Sequence, residues 1–282
     1  MGYFGHSGGT GGAGIFRASV PECFRDSRPV EFALWIYPLL FATGLAAGLV
    51  DSIAGGGGLI ALPMLLTLGL PVPAALGTNK FQSMCGTFSA SRHYVRQGLI
   101  DFRACRVGLI ATFVGALIGV LTVQRIDSQV LARLIPWLLA LIFVYTVFRP
   151  KVGEQDHPPR MGNTSFYVVF GLTLGFYDGF FGPGAGLFWT IILIVVQGQN
   201  FAKATGNTKV MNLVSNIVSV AIFAYAGLIH YGAGITMGLG QVIGARLGAG
   251  LVLKKGAGFV RPIFLVVVGL MLLRLLWVNY HR

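Results

Sequence analysis

Two lysines stand at matching points of this 282-residue chain: Lys80 in Leu76-Gly77-Thr78-Asn79-Lys80 and Lys209 in Thr205-Gly206-Asn207-Thr208-Lys209. Each follows a short polar run and opens an apolar stretch, which reads as the start of a helix. A helix start offers free N–H groups and a partial positive charge, and an ammonium beside it completes an anion site. Thr78, Asn79, Asn207 and Thr208 are of the types that cap a helix and also of the types that coordinate an oxyanion; the two roles are compatible. The plainer alternative is that each lysine snorkels from a helix end to the membrane surface. Recurrence of Gly-Thr-Asn-Lys as Gly-Asn-Thr-Lys weighs toward a site. Gln82, Ser83, Asn212 and Asn216 follow about one turn later, where they line a path or hydrogen-bond between helices.

Two aspartates in apolar surroundings form the second pair. Asp51 precedes Gly55-Gly56-Gly57-Gly58, and Asp178 precedes Gly182-Pro183-Gly184-Ala185-Gly186. Each glycine in a helix costs roughly 1 kcal/mol against alanine, so the backbone opens at both places. Open backbone at membrane depth needs protein or a water-lined cavity to supply hydrogen-bond partners. Amide groups of Gly55, Gly56, Gly57, Gly58, Gly182 and Gly184 are therefore expected to join Thr78, Asn79, Lys80, Asn207, Thr208 and Lys209 around a small anion. Asp51 and Asp178 have two open readings: carrying a proton or ion that couples transport, since desolvation favours the neutral carboxyl, or accepting N–H groups freed by the breaks. Cys23, Cys85 and Cys105 lack metal-ligand spacing, Cys85 reads as a small apolar residue, and no metal or cofactor is expected.

The elements that hold these groups follow from composition. The chain is 55% hydrophobic and 11% charged, against about 25% charged in soluble domains, with mean hydropathy +0.74. It reads as an all-α, polytopic integral membrane protein, partnered by lipid. Its formal charge of +12 lies in short loops between apolar runs, which fits the positive-inside bias better than nucleic acid. Residues 1–30 are Gly-rich and polar without periodicity, carry no secretory or myristoylation signal, and read as a disordered tail. Apolar runs at 32–50 and 59–70 flank the first break. Pro71-Val72-Pro73 reads as a stop, and further helices are expected to about Tyr94, at 107–123 and at 134–148. Residues 59–70 are too short to cross a core of about 30 Å, so this half-helix is either re-entrant or one part of a crossing.

A hydrophilic linker at 149–164 divides a first repeat, 31–148, from a second, 165–282. The second half is read as helices at 166–177, 187–196, 210–229, 235–245 and 263–278. Lys209 lies 129 positions after Lys80, and the same offset maps Gly98-Leu99-Ile100 onto Gly227-Leu228-Ile229 and Val114-Gly115-Ala116 onto Ile243-Gly244-Ala245. Counting each half-helix as a crossing gives five segments per repeat and inverted halves; counting it as re-entrant gives four and parallel halves. With five, the loops bearing Arg92, Arg96, Arg103 and Arg106, Lys151, and Lys254-Lys255 all fall on one side. Charge bias thus favours inversion, the arrangement of transporters with broken helices.

Gly48-Leu49-Val50-Asp51-Ser52-Ile53-Ala54-Gly55-Gly56-Gly57-Gly58-Leu59-Ile60, taken with Leu76-Gly77-Thr78-Asn79-Lys80, strongly resembles the sulfite exporter TauE/SafE family of bacterial membrane permeases, over roughly residues 32–280. The resemblance implies a multi-pass plasma-membrane carrier of small sulfur-containing anions such as sulfite, sulfoacetate or thiosulfate. The second copy departs from the first in its glycine run, so a symmetric site is not implied. Two rivals stay open, a passive anion channel and an intramembrane aspartyl protease built on Asp51 and Asp178, and a homodimer stays open too. The protease requires the two carboxylates close enough to share a proton.

Overall fold

The computed structural model describes residues 32–148 and 155–255. The tail, residues 149–154 of the linker and the last expected helix, 263–278, lie outside the described residues. Those described form helices and no strand: α1 Ile36–Ala54, α2 Gly58–Thr67, α3 Val72–Arg96, α4 Phe102–Val123, α5 Ser128–Phe148, α6 Asn163–Phe180, α7 Ala185–Val195, α8 Phe201–Tyr225 and α9 Tyr231–Lys255.

Helix starts differ from expectation in a way that matters for the site. Pro71-Val72-Pro73 begins α3 rather than stopping its predecessor, because a proline in the first turn lacks only an N–H that would be unpaired anyway. In α8 the Asn200 side chain caps the start by accepting the Lys203 N–H at 3.0 Å. Lys80 and Lys209 therefore stand in the third turn of their helices, and Thr78, Asn79, Asn207 and Thr208 are interior residues rather than caps. Gly77 stays helical because its bare Cα admits a neighbouring stretch of backbone: a Cβ there would stand 2.2 Å from the Leu228 carbonyl oxygen.

The two half-helices, α2 with 10 residues and α7 with 11, are each about 15 Å long at 1.5 Å per residue. That is about half the thickness of a hydrocarbon core. Among the described residues, 36–53 in α1, Phe102–Val123 and Phe201–Tyr225 are long and apolar enough to cross a membrane by themselves.

Glycine sets the packing. α1 lies parallel to α9, with Gly44 against Met237 and Gly48 against Gln241; α4 lies parallel to α6, with Ala111 against Gly171, Thr112 against Gly175 and Ala116 against Gly179. A Cβ at Gly48 would stand 2.4 Å from the Gln241 carbonyl oxygen and one at Gly179 2.2 Å from that of Ala116. These are backbone-to-backbone seams of the kind small residues permit in lipid. α3 and α8 are antiparallel: Gly77 meets Phe223, Thr87 meets Asn216, and Tyr94 meets Gly206. α3 runs with α9, Phe81 on Gly234 and Cys85 on Gly238. α4 runs with α8, since Ile100 just before α4 meets Gly206 and Thr112 further along meets Met211; α1, α3 and α9 therefore point one way, and α4, α6 and α8 the other.

The distribution of polarity is that of a protein whose solvent is lipid. Outward-facing Trp137, Ile110 and Leu247 are 71%, 67% and 54% exposed, whereas Lys80 and Lys209 are 2% and 0% exposed. Charges turned inward under an apolar surface are tolerated only when paired, and they mark function.

Outside that envelope, the end of the linker is fastened to the turn before α8. The Lys203 ammonium and the Asn200 N–H both bond Asp156, holding its carboxyl below the ordinary range. A depressed carboxyl stabilises the fold above its unfolded-state pKa, and the contribution is lost as pH falls through the folded-state value. Both side chains are 47% exposed, so screening leaves Asp156→Asn costing under about 1 kcal/mol. A small drop in Tm at pH 7, shrinking as the melt is repeated at pH values below the ordinary carboxylate pKa of about 4, is the expected result.

Candidate functional site

Both helices that end at a glycine break continue past their aspartate. α1 runs to Ala54 and closes where the Gly55 N–H reaches the Asp51 carbonyl at 2.8 Å. α6 likewise runs to Phe180, beyond Asp178. The ends expected at 50 and 177, just before each Asp, are corrected: the carboxylate sits in the last turn, and the left-handed residue comes later. Only Gly55 of the four-glycine run has positive φ, +74°, while Gly182 and Gly184 have +93° and +82°. The two breaks touch. A Cβ on Gly55 would lie 2.3 Å from the Gly186 carbonyl carbon, and one on Gly58 3.0 Å from the Pro183 Cα.

At this junction the charges pair crosswise. Lys80 on α3 donates to Asp178 Oδ1 on α6 at 2.5 Å. Lys209 on α8 donates to Asp51 Oδ2 on α1 at 2.9 Å and also to the Asp51 carbonyl. Asp51 Oδ1 accepts the Gly57 N–H at 3.4 Å, so the structural reading of Asp51 has a geometric basis. Asp178 Oδ2 makes no hydrogen bond of good geometry; the Ser215 hydroxyl, also without one, is its polar neighbour. Each carboxylate thus faces a lysine rather than the other carboxylate, whereas an aspartyl protease needs two carboxylates sharing a proton. Gly182 makes room for the first pair, since a Cβ there would stand 2.8 Å from Lys80 Nζ.

A cavity of about 20 Å³ opens at the junction, lined among others by Asp51, Gly55, Gly58, Asn79, Lys80, Asp178, Gly182 and Gly184. That is room for about one water, so this conformation is closed to a sulfite-sized solute. Of the residues expected from sequence, Gly56, Gly57, Thr78, Asn207, Thr208 and Lys209 do not line it. Their partners explain why. The Thr78 hydroxyl accepts the His230 N–H at 2.9 Å, the Asn207 amide donates to Gln199 Oε1 at 2.9 Å, the Thr208 and Thr190 hydroxyls meet at 3.1 Å, and Lys209 is spent on Asp51. The amides that start α3 and α8 are not part of this lining, because both lysines stand well inside their helices, whereas Gly58, Gly184 and Gly186 bring the starts of α2 and α7 to it. Among the described residues the ammonium that lines the cavity is that of Lys80, paired with Asp178.

Ser83, Asn212 and Asn216 also line the cavity, in the path role open to them from sequence. Sequence reasoning missed Thr87 and Gly186, which line it as well, and Thr87 accepts the Asn216 amide at 3.3 Å. The signal was present: Asn216 lies 129 positions after Thr87, the offset that relates the lysines. Tyr94 was missed too. Buried on α3, it donates its hydroxyl to the Ser52 carbonyl at 3.1 Å and props the last turn of α1. Tyr94→Phe should cost about 1 kcal/mol, the usual worth of one such bond, read as a modest fall in Tm with the protein still monodisperse.

With this geometry in view, the relatives are informative. Residues 40–275 match the family model described as sulfite exporter TauE/SafE. A protein of Haemophilus influenzae named "Probable membrane transporter protein" is 38% identical over 252 residues, covering 88% of this chain and 97% of its own. "Probable membrane transporter protein YfcA" of Escherichia coli K12 is 39% identical over 244 residues, 86% of this chain and 91% of its own. "Probable membrane transporter protein ORF9" of Sinorhizobium is 35% identical over 246 residues, 87% and 94%. No solved structure matches. Since the matched span takes in both glycine breaks, both lysines and both aspartates, this chain belongs to the sulfite exporter TauE/SafE family of membrane transporters.

Proposed function

We propose that the chain is a secondary transporter of small anions, sulfite or small organosulfur anions first among them, that works by alternating access between two inverted repeats in the cell membrane. The observation that carries the reading is the junction itself: two glycine breaks in contact, bordered by crosswise Lys–Asp pairs, inside an apolar envelope. Inversion is supported by helix direction. α3 and α8 each have 25 residues, begin 129 positions apart and run antiparallel. α1 and α6 likewise oppose each other, as do α4 and α9. Because α9 packs on α1 and α4 on α6, each half contributes one helix to the other's bundle, and rocking one bundle against the other would open the junction to alternate sides. Export as the direction, and sulfur as the substrate's central atom, come from the family's description.

The closed cavity favours a carrier over a standing pore. Purified protein in liposomes should take up labelled sulfite with a rate that saturates in concentration, and unlabelled sulfite inside should accelerate entry. A rate that rises linearly without saturation would make it a channel; no protein-dependent flux of sulfite or thiosulfate would remove the reading.

A further inference from the structure

The two lysine–aspartate pairs are related by the same offset in sequence but are not equivalent in space. Lys209 is 0% exposed, stands outside the cavity lining, and holds both the carbonyl and the carboxylate of Asp51, whose other oxygen takes the Gly57 N–H. Opening that pair would break two bonds and free the residue that also holds the Gly57 N–H at the end of α1. Lys80 and Asp178 both line the cavity, one contact joins them, and Asp178 Oδ2 has no hydrogen bond of good geometry though the residue is 4% exposed. Gly182, with no side chain, borders the Lys80 ammonium and leaves one flank of it open to a visitor.

Charge balance then constrains what the cavity can take. With both pairs closed the junction is neutral, and an added anion would leave an unbalanced negative charge among side chains that are almost wholly buried, at a cost of several kcal/mol. If the anion instead takes over Lys80, Asp178 is displaced and becomes the uncompensated charge. A proton on Asp178 removes that cost, and its hydroxyl then supplies a donor toward the anion or toward Ser215.

We propose that Asp178 is the proton-coupling carboxylate of the carrier: a proton binds Asp178 as the solute anion replaces it on Lys80, so that anion and proton cross together one for one, while Asp51–Lys209 stays closed as a structural lock. The balance is simple: carboxylate plus proton gives carboxylic acid, the ammonium keeps its charge and exchanges one anionic partner for another, and both steps reverse on the far side. A monovalent anion moves without net charge, and flux runs whichever way the combined gradients point. The titratable and charged groups around Asp178 are few. Lys80 is its partner, and Asp51 and Lys209 satisfy each other. Tyr177, beside it on α6, donates its hydroxyl to the Pro183 carbonyl at 2.6 Å, and Tyr94 on α3 is engaged with Ser52. α7 and α2 carry no titratable side chain; on α4, Arg103, Cys105 and Arg106 lie at its opening turn, away from Ala116, which packs beside Asp178 on Gly179.

This inference rests on the anion-carrier reading, and the experiment separates the two. Liposomes holding the full chain are loaded with labelled sulfite for exchange, with labelled thiosulfate, which holds no proton of its own near neutral pH, as second probe; protein-free liposomes subtract leak. The wild type should exchange the anion and, with the outside one pH unit more acid and the membrane potential clamped at zero because thiosulfate with one proton still carries one negative charge, accumulate thiosulfate about tenfold, since one pH unit is a tenfold proton gradient; a protonophore should abolish the accumulation. In Asp178→Asn the accumulation, normalised to whatever exchange remains, should fall to the level without a gradient. Exchange in the wild type with no response to the gradient, or an undiminished response in Asp178→Asn, overturns the coupling while leaving the carrier intact. Absence of exchange in the wild type overturns both. Should the variant not fold, proton counting on the wild type decides: thiosulfate added to weakly buffered protein should draw about one proton per anion bound, and none drawn rejects the proposal.

Discussion

Lys80→Met is expected to lower anion flux by about 100-fold or more. A buried ammonium contributes charged hydrogen bonds of about 1.5–3 kcal/mol each, and a loss near 2.8 kcal/mol is two powers of ten in rate or affinity. Lys80 is the cation that reaches the cavity, so no neighbour replaces it. The single substitution also strands Asp178 at 4% exposure, and breaking a buried pair from one side costs about 3–5 kcal/mol. Loss of transport could then reflect loss of fold. The double substitution Lys80→Met with Asp178→Asn separates the two, because removing both charges is often neutral or stabilising. Its Tm should recover to near wild type and its flux should not. Recovery of flux in the double variant would show that Lys80 only balanced Asp178.

The second large effect is on folding. Gly55→Val should abolish accumulation of monodisperse protein. Its left-handed backbone, φ +74°, costs an L residue about 1–3 kcal/mol, and more for a β-branched side chain. Its Cβ would also penetrate the backbone of Gly186 at 2.3 Å, where no flexible side-chain end can yield. Overpacking of a tight core adds a further 1–3 kcal/mol or so, against a total stability of about 5–15 kcal/mol. Gly69 is the control. It has φ +87°, and a Cβ added there would meet nothing within 4 Å, so Gly69→Ala carries the backbone penalty alone, about 1 kcal/mol, and should express normally. Equal behaviour of the two variants would mean that contact between the breaks contributes nothing.

Several features were legible before any coordinates. Glycine runs after Asp51 and Asp178 mark breaks because no local sequence can make four consecutive glycines a good helix. The 129-residue offset is visible in side-chain types and returns in the bounds of α3 and α8. Local rules misplaced the helix starts. Pro71-Val72-Pro73 signals either an end or a beginning, and only the chain beyond decides which. Gly77 was read as lying before the helix start because its reason for being glycine, the Leu228 carbonyl pressed against it, is supplied by a segment about 150 residues away.

Composition, periodicity and internal likeness by themselves determined an all-helical chain at home in lipid, two interrupted helices, and the residues with charge enough to matter. Tertiary structure alone decided that Lys80 faces Asp178 while Lys209 faces Asp51, that α3 and α8 oppose each other, and that both members of the first pair line the cavity while only Asp51 of the second does. The reason is that hydrophobic pattern and capping act over a few residues, whereas the partner of a buried charge is chosen by whichever backbone can come close enough. Here the close approach is made by Gly55, Gly182 and Gly186 from opposite halves of the chain.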